Sequence, residues 1–249
     1  VPFIPWKQGK SALTSNNWAS ESQLQERFIM GTGVLDLRAP VEFEQGHIPG
    51  SVNLPILDDE ERRIVGICYK EKGASSAVKL GHEIVSGENR ARKIRAWTEW
   101  AKSNLGGILT CFRGGLRSQI AQQWLFEAGF HIPRIQGGYK KIRQKWIEVL
   151  ENEPQNYRWI SVGGATGSGK TRILRNANIA GILDLEKLAC HRGSAFGREI
   201  VPQPSQAQFE NELACQLIRF KNLNLKTLVC EEESRMIGKL VMPEKLFRV

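Results

Sequence analysis

Residues 106–130 read GGILTCFRGGLRSQIAQQWLFEAGF, and their three parts decide the fold. A glycine pair leads into ILTC, a short run with strand character. FRGGLRS follows as a loop. The remainder places Ile120, Trp124 and Leu125 along one side of an amphipathic helix. A strand that passes through a tight loop into a helix is the building unit of a parallel α/β sheet. The same order recurs at residues 158–177, where RWISV precedes GGATGSGKT and a helical TRILRNA.

The flanking sequence extends this pattern. GVLDLRAP (33–40) predicts a short strand broken by Pro40. Residues 40–55 predict a helical turn, a Gly/Pro loop and a second strand ending at Pro55. Residues 58–105 are charged and mostly helical in pattern, with Trp97 and Trp100 on one helix face. Residues 132–136 predict a further strand, stopped by Gly137 and Gly138. ENEPQN (151–156) reads as a polar linker and RWISVGG (158–164) as a buried strand. GILDLEKLA (181–189) reads as a strand–helix junction. SQAQFENELACQLIRF (205–220) reads as a helix opened by a capping box of Ser205 and Gln208, and LKTLVCEEE (225–233) as a strand ending in acids. The expected organisation is a first domain over 1–150 with an N-terminal extension, a linker over 151–157, and a second domain over 158–249. That second stretch is short for a whole domain, so it is expected to be incomplete at its C-terminal end.

Composition is that of a globular protein: 41% hydrophobic and 24% charged over 249 residues. No run of 18 apolar residues is present, so no membrane span is expected, and VPFIPWKQGK (1–10) has no apolar core of a secretory signal. Lys and Arg number 35 against 26 Asp and Glu, a formal charge of +9, which favours anionic partners including nucleic acid. Arg90, Arg92, Lys93 and Arg95 form one basic cluster; Lys140, Lys141, Arg143 and Lys145 form another. For any single member, a solvated helix face competes with phosphate contact. Five scattered cysteines with no CxxC pair argue against a zinc site and for reduced thiols in a cytoplasmic protein. A monomer is expected, with no tightly bound cofactor and no assigned metal ligand.

Cys111 is the thiol whose setting points to chemistry. Gly114 and Gly115 permit a tight curl that aims several amides at one atom, and the following helix adds a partial positive charge. Arg113 and Arg117 add two full charges. Such a setting favours a thiolate and would also hold a persulfide or perselenide anion. The spacing Cys111 to Arg117 also fits a phosphatase loop. The second motif, Gly164-Ala-Thr-Gly167-Ser168-Gly169-Lys170-Thr171, satisfies GxxxxGK[ST] between a strand and a helix. Its amides would cradle a di- or triphosphate, Lys170 would neutralise the outer phosphate, and Thr171 could ligate Mg²⁺. The acid expected to face that metal is open among Asp184, Glu231 and Glu232. The loop does not specify a nucleotide, since a prenyl diphosphate presents the same two groups.

DLRAPVEFEQGHIPGSVNLP (36–55), CFRGGLRS (111–118) and QGGY (136–139) together resemble the rhodanese family over roughly residues 30–148. By that likeness Cys111 carries sulfur or selenium, and Asp36, Arg38, Glu42 and His47 brace the fold. The resemblance widens with DDEERRIVGICYKEKG (58–73), LGHEIVSGE (80–88), GGATGSGKT, HRGSAFG (191–197), SQAQFENEL (205–213) and EEESRMIG (231–238). Over about residues 30–240 the chain is similar to the tRNA 2-selenouridine synthase family. The resemblance implies an α/β architecture: a rhodanese-like parallel-sheet domain followed by a P-loop NTPase-like domain. It also implies exchange of sulfur for selenium in the 2-thiouridine at the tRNA wobble position, with selenophosphate as donor. A geranylated intermediate made from geranyl diphosphate is implied as well. Cys111 would then hold selenium, and Arg113, Gly114, Gly115 and Arg117 the selenophosphate or perselenide. Gly164, Gly167, Ser168, Gly169, Lys170 and Thr171 would hold the diphosphate. His191, Arg192, Ser194, Glu231, Glu232 and Arg235 are cleft candidates, and Cys68 lies in a matching stretch. A rhodanese-type sulfurtransferase fused to an ATP- or GTP-binding kinase-like domain is the alternative, and an RNA-binding module with decayed sites is a third reading.

Overall fold

The computed structural model describes residues 17–30, 33–165, 168–177, 179–191 and 202–249. In chain order the elements begin with α1 (Glu21–Met30), β1 (Val34–Asp36), α2 (Pro40–Glu44) and β2 (Val52–Asn53). Two long helices follow, α3 (Asp59–Ile84) and α4 (Gly87–Ser103), then β3 (Ile108–Thr110), α5 (Leu116–Glu127) and α6 (Gly138–Asn152). Next come β4 (Arg158–Val162), α7 (Lys170–Asn176), β5 (Ile182–Leu183), α8 (Leu185–Leu188) and α9 (Gln206–Asn222). The chain closes with β6 (Thr227–Glu231), β7 (Met236–Ile237), β8 (Leu240–Val241) and α10 (Glu244–Phe247).

Two compact units result. The first holds Gly33–Ala39, Val52–Gly138 and the described part of Val1–Leu24. The second holds Pro40–Ser51, Tyr139–Val249 and the described part of Gln25–Thr32. The first is built on a parallel sheet of order β2-β1-β3, with Leu35 opposite Val52 and Leu109, and Asp36 opposite Asn53 and Thr110. Its strands are buried throughout in β1 and β3, as short apolar runs of a covered parallel sheet should be. Leu35, Leu37, Leu109, Trp97, Trp100, Trp124 and Leu125 pack into one apolar cluster. The indole of Trp97 is satisfied by donating to the Leu54 carbonyl at 3.0 Å. The strand expected over 132–136 shortens to bridges at Arg134, toward Leu109 on one side and Trp18 on the other. Pro133 offers no N–H, and Gly137 and Gly138 both turn the chain at positive φ, so the ladder has nothing to continue it.

The second unit carries a parallel sheet of order β4-β6-β5, with Val162 opposite Glu231 and Leu183 opposite Cys230. β4 departs from expectation. The sequence predicts a buried strand, yet Ile160 is 44% exposed, and among the described residues β4 pairs along one edge alone. Residues 151–156 differ from an open linker. α6 runs to Asn152, and Pro154–Asn156 form a turn of 3-10 helix whose Pro154 carbonyl accepts from the Trp159 indole at 2.8 Å. α9 buries Phe209, Leu213, Ala214, Leu217 and Phe220. Its capping box is half made: Ser205 Oγ accepts from the Gln208 amide, but the Gln208 side-chain oxygen accepts from the His47 amide at 2.8 Å instead of closing back on Ser205. β7 and β8 form a hairpin turned by Gly238.

Candidate functional site

Cys111 leaves the end of β3 and is 2% exposed. Its thiol donates to Ser118 Oγ at 3.3 Å, and that hydroxyl donates to the Gly115 carbonyl at 3.0 Å. The curl depends on Gly114, at φ +65°; Gly115 sits at φ −91°, which any residue adopts, so one glycine of the pair does the turning rather than both. Gly114 and Gly138 lie backbone against backbone. A Cβ on Gly138 (φ +61°) would meet the Cys111 carbonyl oxygen at 2.2 Å and the Gly114 nitrogen at 2.5 Å. The QGGY segment therefore closes the cysteine loop by contact that only glycine allows. Gly138→Ala is expected to destabilise the protein by about 3 kcal/mol or more, since strain and a backbone clash add. Urea unfolding read by tryptophan fluorescence measures it, and an unchanged midpoint would refute this closure.

Charge around the loop is uneven. Arg113 is exposed, with its guanidinium 5.7 Å from the centre of the Phe112 ring, and Arg117 is half-buried in the first turn of α5. Beneath the loop lies Arg134, which no motif singled out. Its Nη1 donates to the Gly114 carbonyl at 2.8 Å. Arg38 clasps Asp36 through Nε at 3.0 Å and Nη2 at 2.7 Å, with both side chains buried, so the charges of β1 cancel locally. His47 stacks on Phe43 at 3.8 Å and its ring Nδ1 lies 3.0 Å from the Phe43 carbonyl.

At the glycine loop, Gly164 (φ +150°) and Gly169 (φ +87°) both need glycine's freedom. Lys170 Nζ folds over the loop and donates to the carbonyls of Gly164 at 2.6 Å and Ala165 at 3.2 Å. The Ser168 amide closes the turn on Ala165. Gly167 lies outside the described residues, as do Arg192 and Ser194.

Register decides among the three acids. Glu231 ends β6 opposite Val162, and its carboxylate lies 3.1 Å from Thr171 Oγ1. Glu232 points the other way, with Oε2 where a Cβ on Gly163 would stand at 2.5 Å, as strand alternation requires. Asp184 is engaged elsewhere: it caps α8 through the Lys187 amide and pairs with Arg175 at 2.6 Å. The structure adds two acids to this question, of which Glu186 is not named by sequence reasoning and Glu233 lies within the 231–235 cleft stretch. Glu186 lies 3.3 Å from Thr171 Oγ1, and Glu233 shares the Glu231 side. Carboxylate oxygens of Glu186, Glu231 and Glu233 fall within 4.8 Å of one another. Three carboxylates and a hydroxyl are hard oxygen donors, which fits Mg²⁺. His191 is half-buried, with a buried Nδ1 that has no hydrogen-bond partner among the described residues; Arg235 is exposed before the β7–β8 hairpin.

Burial raises the Glu231 carboxyl above its ordinary range, the Thr171 hydrogen bond opposes this, and repulsion from Glu186 and Asp184 adds to it. Glu233 is raised by burial, then by Glu186 and Glu231. Both groups bind protons more tightly folded than unfolded. As pH rises from the ordinary carboxylate range through their raised values, the folded state holds the surplus protons and stability falls. Glu233→Gln is therefore expected to raise the thermal midpoint by about 2–4 °C at pH 7.5 and to leave it unchanged at pH 4. Equal effects at both values, in parallel calorimetric scans, would show that the cluster does not repel.

Three of the four members of the first basic cluster are ion-paired. Arg90 pairs with Glu127, Lys93 with Glu61 and Arg95 with Glu88, while Arg92 donates to Asn89. In the second, Arg143 pairs with Glu210, and Lys140 and Lys141 are exposed. Of the other thiols, burial pushes Cys215 strongly up and Cys230 up, the latter helped by Glu231.

With this geometry in hand, residues 18–145 match the rhodanese-like domain and residues 157–249 match the tRNA 2-selenouridine synthase AAA domain. The chain belongs to the tRNA 2-selenouridine synthase family. It is 48% identical over 222 residues to the tRNA 2-selenouridine synthase of Cupriavidus pinatubonensis, covering 89% of this chain and 60% of that protein. It is 47% identical over 233 residues to that of Shewanella halifaxensis, covering 94% and 63%. The Nitrosomonas europaea protein of the same name is 48% identical over 222 residues, covering 88% and 58%. The chain thus spans about three fifths of the length of these curated relatives. Both loops described above lie inside the matched family regions. Among the described residues no helix is long and apolar enough to cross a membrane.

Proposed function

We propose that this protein exchanges sulfur for selenium in 2-thiouridine at the wobble position of tRNA, with selenophosphate as the selenium donor. The observation that carries the reading is the presence, in one chain of this family, of an intact cysteine loop and an intact phosphate loop. A thiocarbonyl sulfur is a poor leaving group. Attack of that sulfur on C1 of geranyl diphosphate forms a C–S bond and releases diphosphate, leaving C2 of the base more electrophilic. Hydrolysis of selenophosphate gives phosphate and selenide, and selenide displaces a thiol from Cys111 held in a mixed disulfide. The resulting perselenide adds at C2 as geranylthiolate departs. A thiol then attacks Cys111 Sγ, freeing the selenated base and restoring the disulfide. Lys170 and the amides of the Gly164–Thr171 loop hold the diphosphate. Cys111 carries selenium, with Arg113 and Arg117 drawing in its anionic donor. A Mg²⁺ ion would be held by Thr171 and Glu231, with Glu186 and Glu233 beside it, and would neutralise diphosphate charge. The exposed Lys140 and Lys141 contribute to a phosphate-binding surface for tRNA, whose affinity falls with salt. A tRNA substrate goes with a cytoplasmic location.

The full protein, incubated with 2-thiouridine tRNA, geranyl diphosphate and selenophosphate, should yield geranylated and selenated uridine by nucleoside mass spectrometry. Absence of both overturns the proposal. The placement of Glu231 on Thr171 also suits a Mg-nucleotide, which favours the second reading, a sulfurtransferase joined to a kinase-like domain. Tight ATP binding that needs Lys170, together with inertness toward tRNA, would select it.

A further inference from the structure

Arg134 is 6% exposed. Its Nε donates to Gln122 Oε1 at 3.0 Å and its Nη1 to the Gly114 carbonyl at 2.8 Å, while its guanidinium lies 3.9 Å from the centre of the Trp18 ring. All three partners are neutral. Its backbone is fixed on both sides, with its amide donating to Asn17 and its carbonyl accepting from Ala19. No carboxylate pairs with it among the described residues, although a guanidinium stays charged at any working pH. Burying such a charge beside neutral dipoles alone is costly, and buried charges are ordinarily paired.

One ionisable group acts on it. Burial pulls the Arg134 guanidinium down, and negative charge on Cys111 pushes it back up. The other charges near the loop are used or remote from its underside. Asp36 on β1 is matched by Arg38, Arg113 is exposed beside Phe112, and Glu127 at the far end of α5 pairs with Arg90. Arg117 is half-buried at the start of α5.

We propose that Arg134 is the counter-ion of the anionic sulfur of Cys111, and of the anionic selenium once it is loaded, acting from beneath the loop as a positioning residue. The proposal rests on Cys111 being the chalcogen carrier. Gln122 and Trp18 hold the guanidinium in place, and the Gly114 carbonyl ties it to the loop that carries the sulfur. The loop arginines meet the incoming donor from outside, and Arg134 supplies permanent charge from within. Its unpaired state is explained by the anion that forms above it during the reaction.

The test is alkylation of Cys111 by iodoacetamide in the full protein, followed by peptide mass spectrometry. The thiolate sulfur displaces iodide and forms a thioether, so the rate reports anionic sulfur. Arg134→Gln should slow the reaction about tenfold at pH 7, because it removes the buried positive charge tied to the loop that carries the sulfur. At pH 10, where thiols ionise without help, the variant and wild-type rates should converge. Arg134→Lys should recover most of the pH 7 rate, and Cys68 in the same molecules should be unaffected. An unchanged rate at pH 7, or equal slowing at both pH values without rescue by lysine, would overturn the proposal. Should Arg134→Gln not fold, Arg134→Lys decides alone: a rate within threefold of wild type at pH 7 supports the counter-ion, and equal slowing at both pH values overturns it. Failure of the carrier reading would look different. Cys111→Ala would then leave selenation of tRNA intact, whatever the alkylation rates.

Discussion

Cys111→Ala is expected to abolish selenium incorporation into tRNA, by about a thousandfold or more, while geranylation of the 2-thio group persists. The size of the first effect follows from the chemistry. A covalent carrier has no substitute when its sulfur is removed, and of the five cysteines Cys111 alone follows a strand into a glycine–arginine loop. Cys215 is buried and raised, and Cys230 is raised by burial and by Glu231. The fold should tolerate the change. Alanine removes one atom from a site where Ser118 keeps its bond to the Gly115 carbonyl, so the loss of stability is about 1 kcal/mol. Persistence of geranylation follows from the proposed division of labour, in which the diphosphate would be held by a separate loop after β4. Nucleosides from the reacted tRNA, resolved by mass spectrometry, read both products at once. Loss of both would show that Cys111 also serves the alkylation step.

Lys170→Ala is expected to weaken binding of geranyl diphosphate by about 30- to 100-fold, the equivalent of ~2–3 kcal/mol for a hydrogen bond to a charged group. The ammonium is positioned for this over its own loop, where it donates to two carbonyls. Those bonds exchange for stronger, charge-assisted bonds to phosphate oxygens. Alanine leaves the loop backbone unaltered, since Gly164 and Gly169 set its shape. Isothermal titration with geranyl diphosphate measures the difference. Unchanged affinity would take the diphosphate away from this loop, and a matching loss for ATP without any for geranyl diphosphate would favour the kinase-like reading.

Much of the architecture could be read from local signals. The strand–loop–helix order at residues 106–130 and 158–177, the break at Pro40 and the tryptophan pair on α4 all correspond to elements in the structure. Pairing partners were less visible. RWISV has the composition of a strand, but composition does not say how many neighbours the strand has, and β4 lies at an edge. The Ser205 cap was legible, whereas the diversion of Gln208 to the His47 amide was not, because that contact joins residues 161 apart. At the candidate site the motifs gave the loops and left their supports unseen. Glu231 could be narrowed only to a set of acids until the β4–β6 register put it on Thr171. Glu186 comes from another turn of chain, and nothing near Arg134 distinguishes it from a surface arginine except the glycines that follow. Basic clusters were legible as composition and ambiguous as function. Acids from α3, α4 and α5 pair with three of the four members of the first.

α3 has a consequence of another kind. It runs 26 residues, yet Ala77 alone is fully buried, and Gly73 interrupts it with φ +80° and ψ 179° in open space. So little buried contact gives this helix small cooperativity with the sheet, so its amides should open and exchange with solvent while β1 and β3 stay closed. Lys70 and Lys72 lie just before the interruption. A trypsin-like protease therefore meets its preferred residues at a weakly packed point of the first unit, and a nick there would separate two half-helices without breaching the tryptophan core.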